Sequence, residues 1–377
     1  FYVDIGAYHP FKGSLTQTLY GKGWSGINID ISKTSVDLFK IARPKDININ
    51  CAIGKITEET KFFQNSKMNQ QNSLIRQNSN QVEVKIKCYK LNDILTSNKI
   101  KKVDYINIDT EGTELDVLKG LDFKKIKPSI ILHQAGQVTV TKSFENPRFD
   151  MESNIIGTIN ILESIRLLKI KPIFIFPSSN KVYGNLDRIK TLKKGRRYEY
   201  RSISGINEKN PISFESPYGC SKGAAEQYVI DYSKNCNFKS FVIRQSCIYG
   251  PNQYGQEGQG WVSWILMCAI FNKKINIFGD GLQVRDMLYI DDLIKMYELI
   301  INKAKFLKSS IFNAGGGSKN SMSILEFLDF IGKEFKIKIN FQKKEKRAAD
   351  QKIYISDTSL AKKKLGWNAK ITSRNGI

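Results

Sequence analysis

Short apolar runs alternate with amphipathic stretches along most of the chain. "YVDIG" (2–6), "GINIDI" (26–31) and "ININCAIG" (47–54) predict three strands, with helix-compatible segments at 14–20 and 34–42 between them, the second capped near Ser35. "VEVKIKCYKL" (82–91) alternates with period two, the mark of a half-exposed strand. "VDYINID" (103–109) predicts a fourth parallel-type strand followed by a helix in "TELDVLKGL", and Pro128–Leu132 predicts another short strand. The rhythm then continues. A helix is expected over 149–169, with Ile155, Ile159, Leu162 and Ile165 on one face. A strand over 172–179, a helix over 216–234 and a strand over 240–246 follow, and then mixed short elements. The Gln/Asn-rich stretch 64–81 reads as a loop. Strands alternating with helices predict an α/β fold, a doubly wound parallel sheet with a smaller C-terminal α/β lobe.

Composition narrows the function classes. With 41% hydrophobic and 25% charged residues, a packed core is expected. The longest apolar stretch, Trp261–Phe271, is too short to cross a bilayer and contains Ser263, so no membrane partner is expected. The net charge of +23 raises the question of nucleic acid. The excess is scattered lysine without a basic arm, and "KKGRR" (193–197) and "KKEKR" (343–347) read as solvated faces or phosphate-binding rims. No nucleic-acid partner is therefore expected. Six cysteines without a C-x-x-C and only two histidines argue for free thiols in a cytoplasmic protein and against a metal site. The chain opens on a strand with no Met, so a fragment of a longer reading frame is expected.

Residues 1–132 place acids and glycines where strands end. Asp4 and Gly6 close the first strand, Asp30 the second, and Asp109 the fourth, with Glu111 and Glu114 after it. That edge is where open α/β sheets bind ligands, and a carboxylate there can accept hydrogen bonds from ribose hydroxyls. "VDIGAYHP", "GWSGINIDI", "NCAIG" and "VDYINIDTEGTELDVLKG" together resemble the FkbM-type methyltransferases, which use S-adenosylmethionine (SAM). The resemblance implies SAM contacts at Asp4, Gly6, Asp30 and Asp109 and O-methyl transfer. "GKGWSG" (21–26) matches the dinucleotide fingerprint only in letters. It follows a predicted helix and precedes a strand, whereas a phosphate loop needs a strand before it and a helix after it.

The second candidate chemistry lies in residues 133–377. Tyr218 and Lys222 are four apart on a predicted helix and so share a face. Ser178 and Ser179 end the preceding strand. An ammonium beside a phenol stabilises phenolate and is expected to lower the Tyr218 pKa, which suits proton transfer during hydride chemistry. "HQAGQVTVTKS", "NIIGTINILESIR", "FPSSNKVYG", "SPYGCSKGAAEQYVIDY", "RQSCIYGPNQYGQEGQGWVSW" and "GDGLQVRDMLYIDDL" resemble the extended short-chain dehydrogenase/reductases, the NAD-dependent nucleotide-sugar epimerases and dehydratases. "SSNKVYG" and "GQGWVSW" are most similar to the CDP-paratose 2-epimerase branch, which implies a CDP-sugar. The resemblance implies a Rossmann-like fold. It implies Tyr218 as acid/base, Lys222 on the nicotinamide ribose and Ser179 on the sugar hydroxyl. Ala135, Gly136, Asn154 and Ser178 would line the NAD site. Arg285, Arg347 and Asp350 would hold the nucleotide diphosphate and ribose. A homodimer through helices 149–169 and 216–234 is also implied.

The family's first strand and its G-x-x-G-x-x-G loop for the NAD pyrophosphate should precede His133, and the methyltransferase-like segment stands there instead. The expectation is thus two segments, 1–132 and 133–377, sharing one hybrid sheet of strands near 2–6, 26–31, 47–53, 103–109, 129–133, 172–177 and 240–245. Three functions follow: a nucleotide-sugar epimerase or dehydratase impaired by the missing loop, a SAM-dependent methyltransferase, or an inactive nucleotide-sugar-binding remnant.

Overall fold

The computed structural model describes all residues except 13, 65–73, 75–80, 111–112, 123–125 and 127, and the side chains of Glu114 and Leu115. Most of the expected 64–81 loop, and Glu111, therefore lie outside the described residues. The chain divides into two compact units, Phe1–Pro128 and Ser129–Ile377.

The first unit is built on four parallel strands: β1 (Tyr2–Ile5), β2 (Gly26–Asp30), β3 (Ile47–Asn50) and β4 (Tyr105–Ile108), in the order β3-β2-β1-β4. Ile5 lies opposite both Ile29 and Ile108, so the chain leaves all three strands at one level. Val3, Ile5, Ile27 and Ile29 are buried with Leu91, Ile94 and Val117 from flanking helices. The helix Lys33–Ala42 is capped by Ser32, whose hydroxyl accepts from the Ser35 amide at 3.3 Å, rather than near Ser35 itself. A hydroxyl just outside the first turn satisfies an amide that has no partner within the helix. The strand at Val82–Tyr89 is present, and Glu58–Gln64 pairs antiparallel with it. That second strand was invisible in the pattern because its sequence, "EETKFFQ", mixes charge with one buried side chain, Phe62.

The second unit carries β5 (Ile130–Leu132), β6 (Ile173–Ser179), β7 (Lys239–Gln245) and β8 (Ser310–Ala314), all parallel, in the order β8-β7-β6-β5. Ile175, Phe241, Ile243 and Phe312 pack from this sheet against Leu293, Met296, Tyr297 and Trp367. A smaller lobe gathers Val262, Ile265, Ile277, Phe327 and Ile331 around the strand Val284–Tyr289. The helix Pro217–Asn235 starts where the sequence placed it, with the Ser216 hydroxyl accepting from the Gly219 amide at 3.0 Å.

One expectation fails here. The strands do not form a single hybrid sheet: β4 pairs with β1, and β5 pairs with β6. The cause is in the cores. The apolar cluster under β1–β4 draws on residues 1–126, and the one under β6–β8 on residues 173–369, so each sheet closes on its own set of helices. Of Pro128–Leu132, which the pattern allowed to either segment, the strand Ile130–Leu132 goes with the second unit and Pro128 ends the first.

The helix expected over 149–169 is also differently built. It runs as Pro147–Asp150, a π-helical stretch Met151–Ile156, and Gly157–Leu168. Its buried face begins with the polar Asp150, Asn154 and Thr158, while Ile155 and Ile159 are only half-buried. Apolar burial starts one turn later, at Ile161, Leu162 and Ile165.

Candidate functional site

The first unit has a pocket at the carboxyl ends of β1, β2 and β4, lined among others by Asp4, Gly6, Asp30, Asn107 and Asp109. Parallel register explains the convergence, because Gly6, Asp30 and Asp109 each follow a level-matched isoleucine. At Gly6, φ is +81° and a Cβ would sit 1.7 Å from the Asp109 carbonyl oxygen, so no side chain fits. Asp4 is buried, and both its oxygens are occupied: Thr16 Oγ1 donates to one at 2.6 Å and Asn107 Nδ2 to the other at 2.9 Å. Asp30 accepts from the amides of Tyr8 and Ser32 at 2.8 and 2.7 Å. Burial pushes its carboxyl up to about 6, against those two hydrogen bonds. "GKGWSG" links the helix Gln17–Gly21 to β2, so it has the wrong order for a phosphate loop.

In the second unit the parallel register of β6 and β7 sets Ser178 and Ser179 beside Arg244 and Gln245 at the sheet's carboxyl edge. The helix Pro217–Asn235 carries Tyr218 and Lys222, one turn apart and both buried. The Ser179 hydroxyl lies close enough to the Tyr218 phenol to favour its charged form, while donating its own hydrogen bond to Asn180 Oδ1 at 3.3 Å. Lys222 Nζ donates to the Pro177 carbonyl at 3.1 Å and lies 5.1 Å from the Phe176 ring centre. Ser179 and Tyr218 are thus brought side by side, and Lys222 sits one helical turn from Tyr218 with its Nζ turned to Pro177.

Their electrostatics differ from expectation. Lys222 was expected to lower the Tyr218 pKa. Instead burial raises it, the Ser179 hydroxyl opposes burial, and the Asp150 carboxylate raises it further. The Lys222 ammonium is turned to the Pro177 carbonyl, and burial pushes it down to about 8 with Asp150 opposing.

Beside this trio lies a small cradle. Ala135 and Gly136 form the turn after β5. A Cβ on Gly136 would lie 2.4 Å from Asn154 Oδ1 and 3.5 Å from Lys222 Nζ. Asn154 donates to the Gln137 carbonyl and to Ser221 Oγ, yet its buried Oδ1 has no partner. Ser178 Oγ points elsewhere, donating to Glu226 at 2.8 Å under the sheet.

The three substrate candidates are only partly joined. Arg285 Nη2 donates to Asp350 Oδ1 at 2.5 Å. Arg347 lies 3.5 Å from the Phe278 ring centre and donates to the Glu257 carbonyl at 3.2 Å. The Asp350 charge still reaches it. Lys181, which the sequence reading passed over, belongs here too. Its Nζ donates to the Ala349 carbonyl at 3.2 Å, and burial, with Arg285 adding, pushes it down to about 8. Its signal was its place two residues after Ser179. Asp150 and Gln137 were also passed over, although Asp150, Asn154 and Thr158 recur at the spacing of one helix face.

Among the described residues no helix is long and apolar enough to cross a membrane. A family model described as GDP-mannose 4,6 dehydratase matches residues 67–377, starting well before His133. The CDP-paratose 2-epimerase of Salmonella typhi is 35% identical over 259 residues, 67% of this chain and 77% of its own length. A putative UDP-glucose 4-epimerase of Methanocaldococcus jannaschii is 31% identical over 291 residues, 76% of this chain and 87% of its own. Among solved structures, the UDP-glucose 4-epimerase of Thermotoga maritima with UDP-glucose covers 100% of this chain and 95% of its own, at 21% identity and a TM-score of 0.63. The NAD complex of the Thermus thermophilus UDP-glucose 4-epimerase covers 100% and 96%, at 20% identity and 0.63. At such identities the likeness speaks for a Rossmann-like α/β fold. The methyltransferase resemblance of residues 1–132 stands on its motifs alone. With the family match spanning most of its length, the chain belongs to the GDP-mannose 4,6 dehydratase family, among the extended short-chain epimerases and dehydratases of nucleotide sugars.

Proposed function

We propose that the second unit carries out NAD-dependent epimerisation of a nucleotide sugar, with a CDP-sugar as the substrate. The observation that carries this reading is the buried placement of Ser179, Tyr218 and Lys222 beside the Gly136 cradle. The cradle fits the nicotinamide-ribose end of NAD. It has no room for a side chain, and it offers a buried acceptor, Asn154 Oδ1, that nothing among the described residues satisfies. Lys222, Tyr218, Asn154 and the Ala135–Gly136 backbone would hold that end. When bound, NAD supplies hydride acceptance from a sugar carbon and hydride return to it. As the phenolate, Tyr218 Oη would take the proton of the sugar hydroxyl and, as the resulting phenol, give it back when the keto sugar is reduced, while Ser179 Oγ would orient the same oxygen. Arg285, Arg347, Lys181 and Asp350 give the substrate end a cationic excess, which suits a diphosphate. Weakened NAD affinity is part of this reading, since "GKGWSG" runs from a helix into a strand and so does not serve as a pyrophosphate loop.

A second reading is favoured by the first unit's pocket: a SAM site at Asp4, Gly6, Asp30 and Asp109. Calorimetry of the whole chain against NAD, SAM and a CDP-sugar separates the readings. NAD binding that fades as pH rises through about 8, where Lys222 loses its proton, supports the first. SAM binding that is lost in D30A supports the second. A CDP-sugar bound without either cofactor leaves a binding remnant and sinks the epimerase.

The helix faces support a homodimer. Phe149, Met151 and Ile156 on one helix and Tyr228 on the other are exposed large side chains. Sedimentation equilibrium is expected to give a dimer, and a monomer at high protein concentration would count against it.

A further inference from the structure

Lys222 is a buried cation, 3% exposed, and makes no ion pair within 4 Å among the described residues. Its one hydrogen bond is to a neutral carbonyl. A buried ammonium without a counter-charge tends to lose its proton, and Lys222 needs that proton to serve the proposed site. The groups facing it can be named. His133 follows β5, held neutral by burial, with Lys222 adding, at about 3 and bonded through Nε2 to Thr158. From β6 come the Pro177 carbonyl and the Phe176 ring. Tyr218 is on its own helix. The remaining charge is Asp150.

Asp150 is 1% exposed, and only one of its oxygens is occupied: Gln137 Nε2 donates to Oδ2 at 3.0 Å. Oδ1 is buried and without a partner. Buried carboxylate oxygens are ordinarily satisfied, as both oxygens of Asp4 are in the first unit. Asp150 begins the buried polar face Asp150–Asn154–Thr158, interrupted by the π-helical stretch Met151–Ile156. Such stretches shift side-chain directions and recur at functional sites. Gln137 ties the carboxylate to the cradle, because its carbonyl also accepts from Asn154.

We propose that Asp150 is a positioning residue, the buried counter-ion that keeps Lys222 an ammonium at the cradle. The inference rests on the reading of Lys222 as a group serving the NAD site. It also gives Gln137 a purpose, which is to hold one carboxylate oxygen, Oδ2, and leave the buried Oδ1 free of a hydrogen bond among the described residues. The electrostatics agree, because Asp150 is the group that opposes burial at Lys222, and Lys222 in turn favours the charged form of Asp150.

The test is a lysine titration by NMR on the full chain carrying 13C at lysine Cε, with the Lys222 signal assigned by its loss in K222M. D150N removes the charge and keeps the shape; D150E restores the charge. The Lys222 midpoint is expected near 8 in the wild type, about one pH unit lower in D150N, and back near the wild-type value in D150E. NAD affinity by calorimetry is expected to fall about fivefold in D150N at pH 8 and to match wild type at pH 6. An unchanged midpoint in D150N overturns the proposal. A shifted midpoint in a protein that binds no NAD at any pH upholds the counter-ion and removes the NAD reading instead. Should D150N not fold, the pair is read in the wild type with 13Cγ-aspartate: the Asp150 signal must move a second time through the Lys222 midpoint, and a flat signal there overturns the proposal.

Discussion

Replacing Tyr218 by Phe is expected to lower epimerase turnover by roughly 10²–10⁴-fold at saturating NAD, with little change in KM for the sugar nucleotide. The reason is local. Tyr218 is 8% exposed and lies beside the Ser179 hydroxyl, so on the proposed reading the phenol is the proton carrier next to the group that orients the sugar oxygen. Phe keeps the ring and the packing of the helix start and removes only the proton site. Burial raises the phenol's pKa, with Ser179 opposing, so turnover is expected to rise with pH until it is checked by the loss of the Lys222 proton, whose midpoint lies at about 8. The measurement is kcat and KM against pH for wild type and Y218F. Turnover in Y218F within a factor of three of wild type would falsify the proton role.

Much of this was legible in the sequence, and the parts that were not have physical causes. Period-two alternation and short apolar runs located β1, β2, β3, β4, β6 and β7. Of these, β1, β2, β6 and β7 are buried along nearly their whole length and leave an almost unbroken apolar signature, while the partly exposed β3 and β4 show through their alternating isoleucines. Tyr218 and Lys222 were legible because helical spacing alone puts them on one face. Asp150 was not, because its meaning depends on Gln137 and Lys222, which lie 13 and 72 positions away in the chain and come together only through β5 and β6. The single hybrid sheet was the clearest error. Pro128–Leu132 is three to five apolar residues long, and such a run says that a strand exists but not which neighbour it pairs with. Pairing follows from which helices cover the sheet, and those are set by residues far along the chain. Sequence also joined Arg285, Arg347 and Asp350 as one set. The structure binds Arg285 to Asp350 directly and stacks Arg347 on Phe278, a contact no motif announces.

The largest effect on stability is expected beneath the site, at Glu226. Its carboxylate is fully buried and receives Arg244 through Nη2 at 2.5 Å and Nε at 3.3 Å, and Ser178 Oγ at 2.8 Å. Arg244 also donates to the Tyr183 hydroxyl at 3.0 Å, which donates to Asn313 Oδ1 at 2.8 Å. One network therefore ties β6, β7, β8 and the Tyr218 helix together, and it fixes the residue next to Ser179. Removing one partner leaves a charge in a place that water does not reach. E226A is expected to lose about 3–5 kcal/mol, read from the urea transition of the second unit, because the Arg244 guanidinium stays behind uncompensated. The double variant E226L/R244M removes both charges and is expected to recover most of that loss, since a buried pair exchanged for apolar side chains costs little. This contrast separates the penalty of an orphaned charge from simple loss of packing, which would make the double variant worse than either single one. A loss in E226A below about 1 kcal/mol would mean that water reaches Arg244, and the network would then not be what holds Ser178 and Ser179 in place.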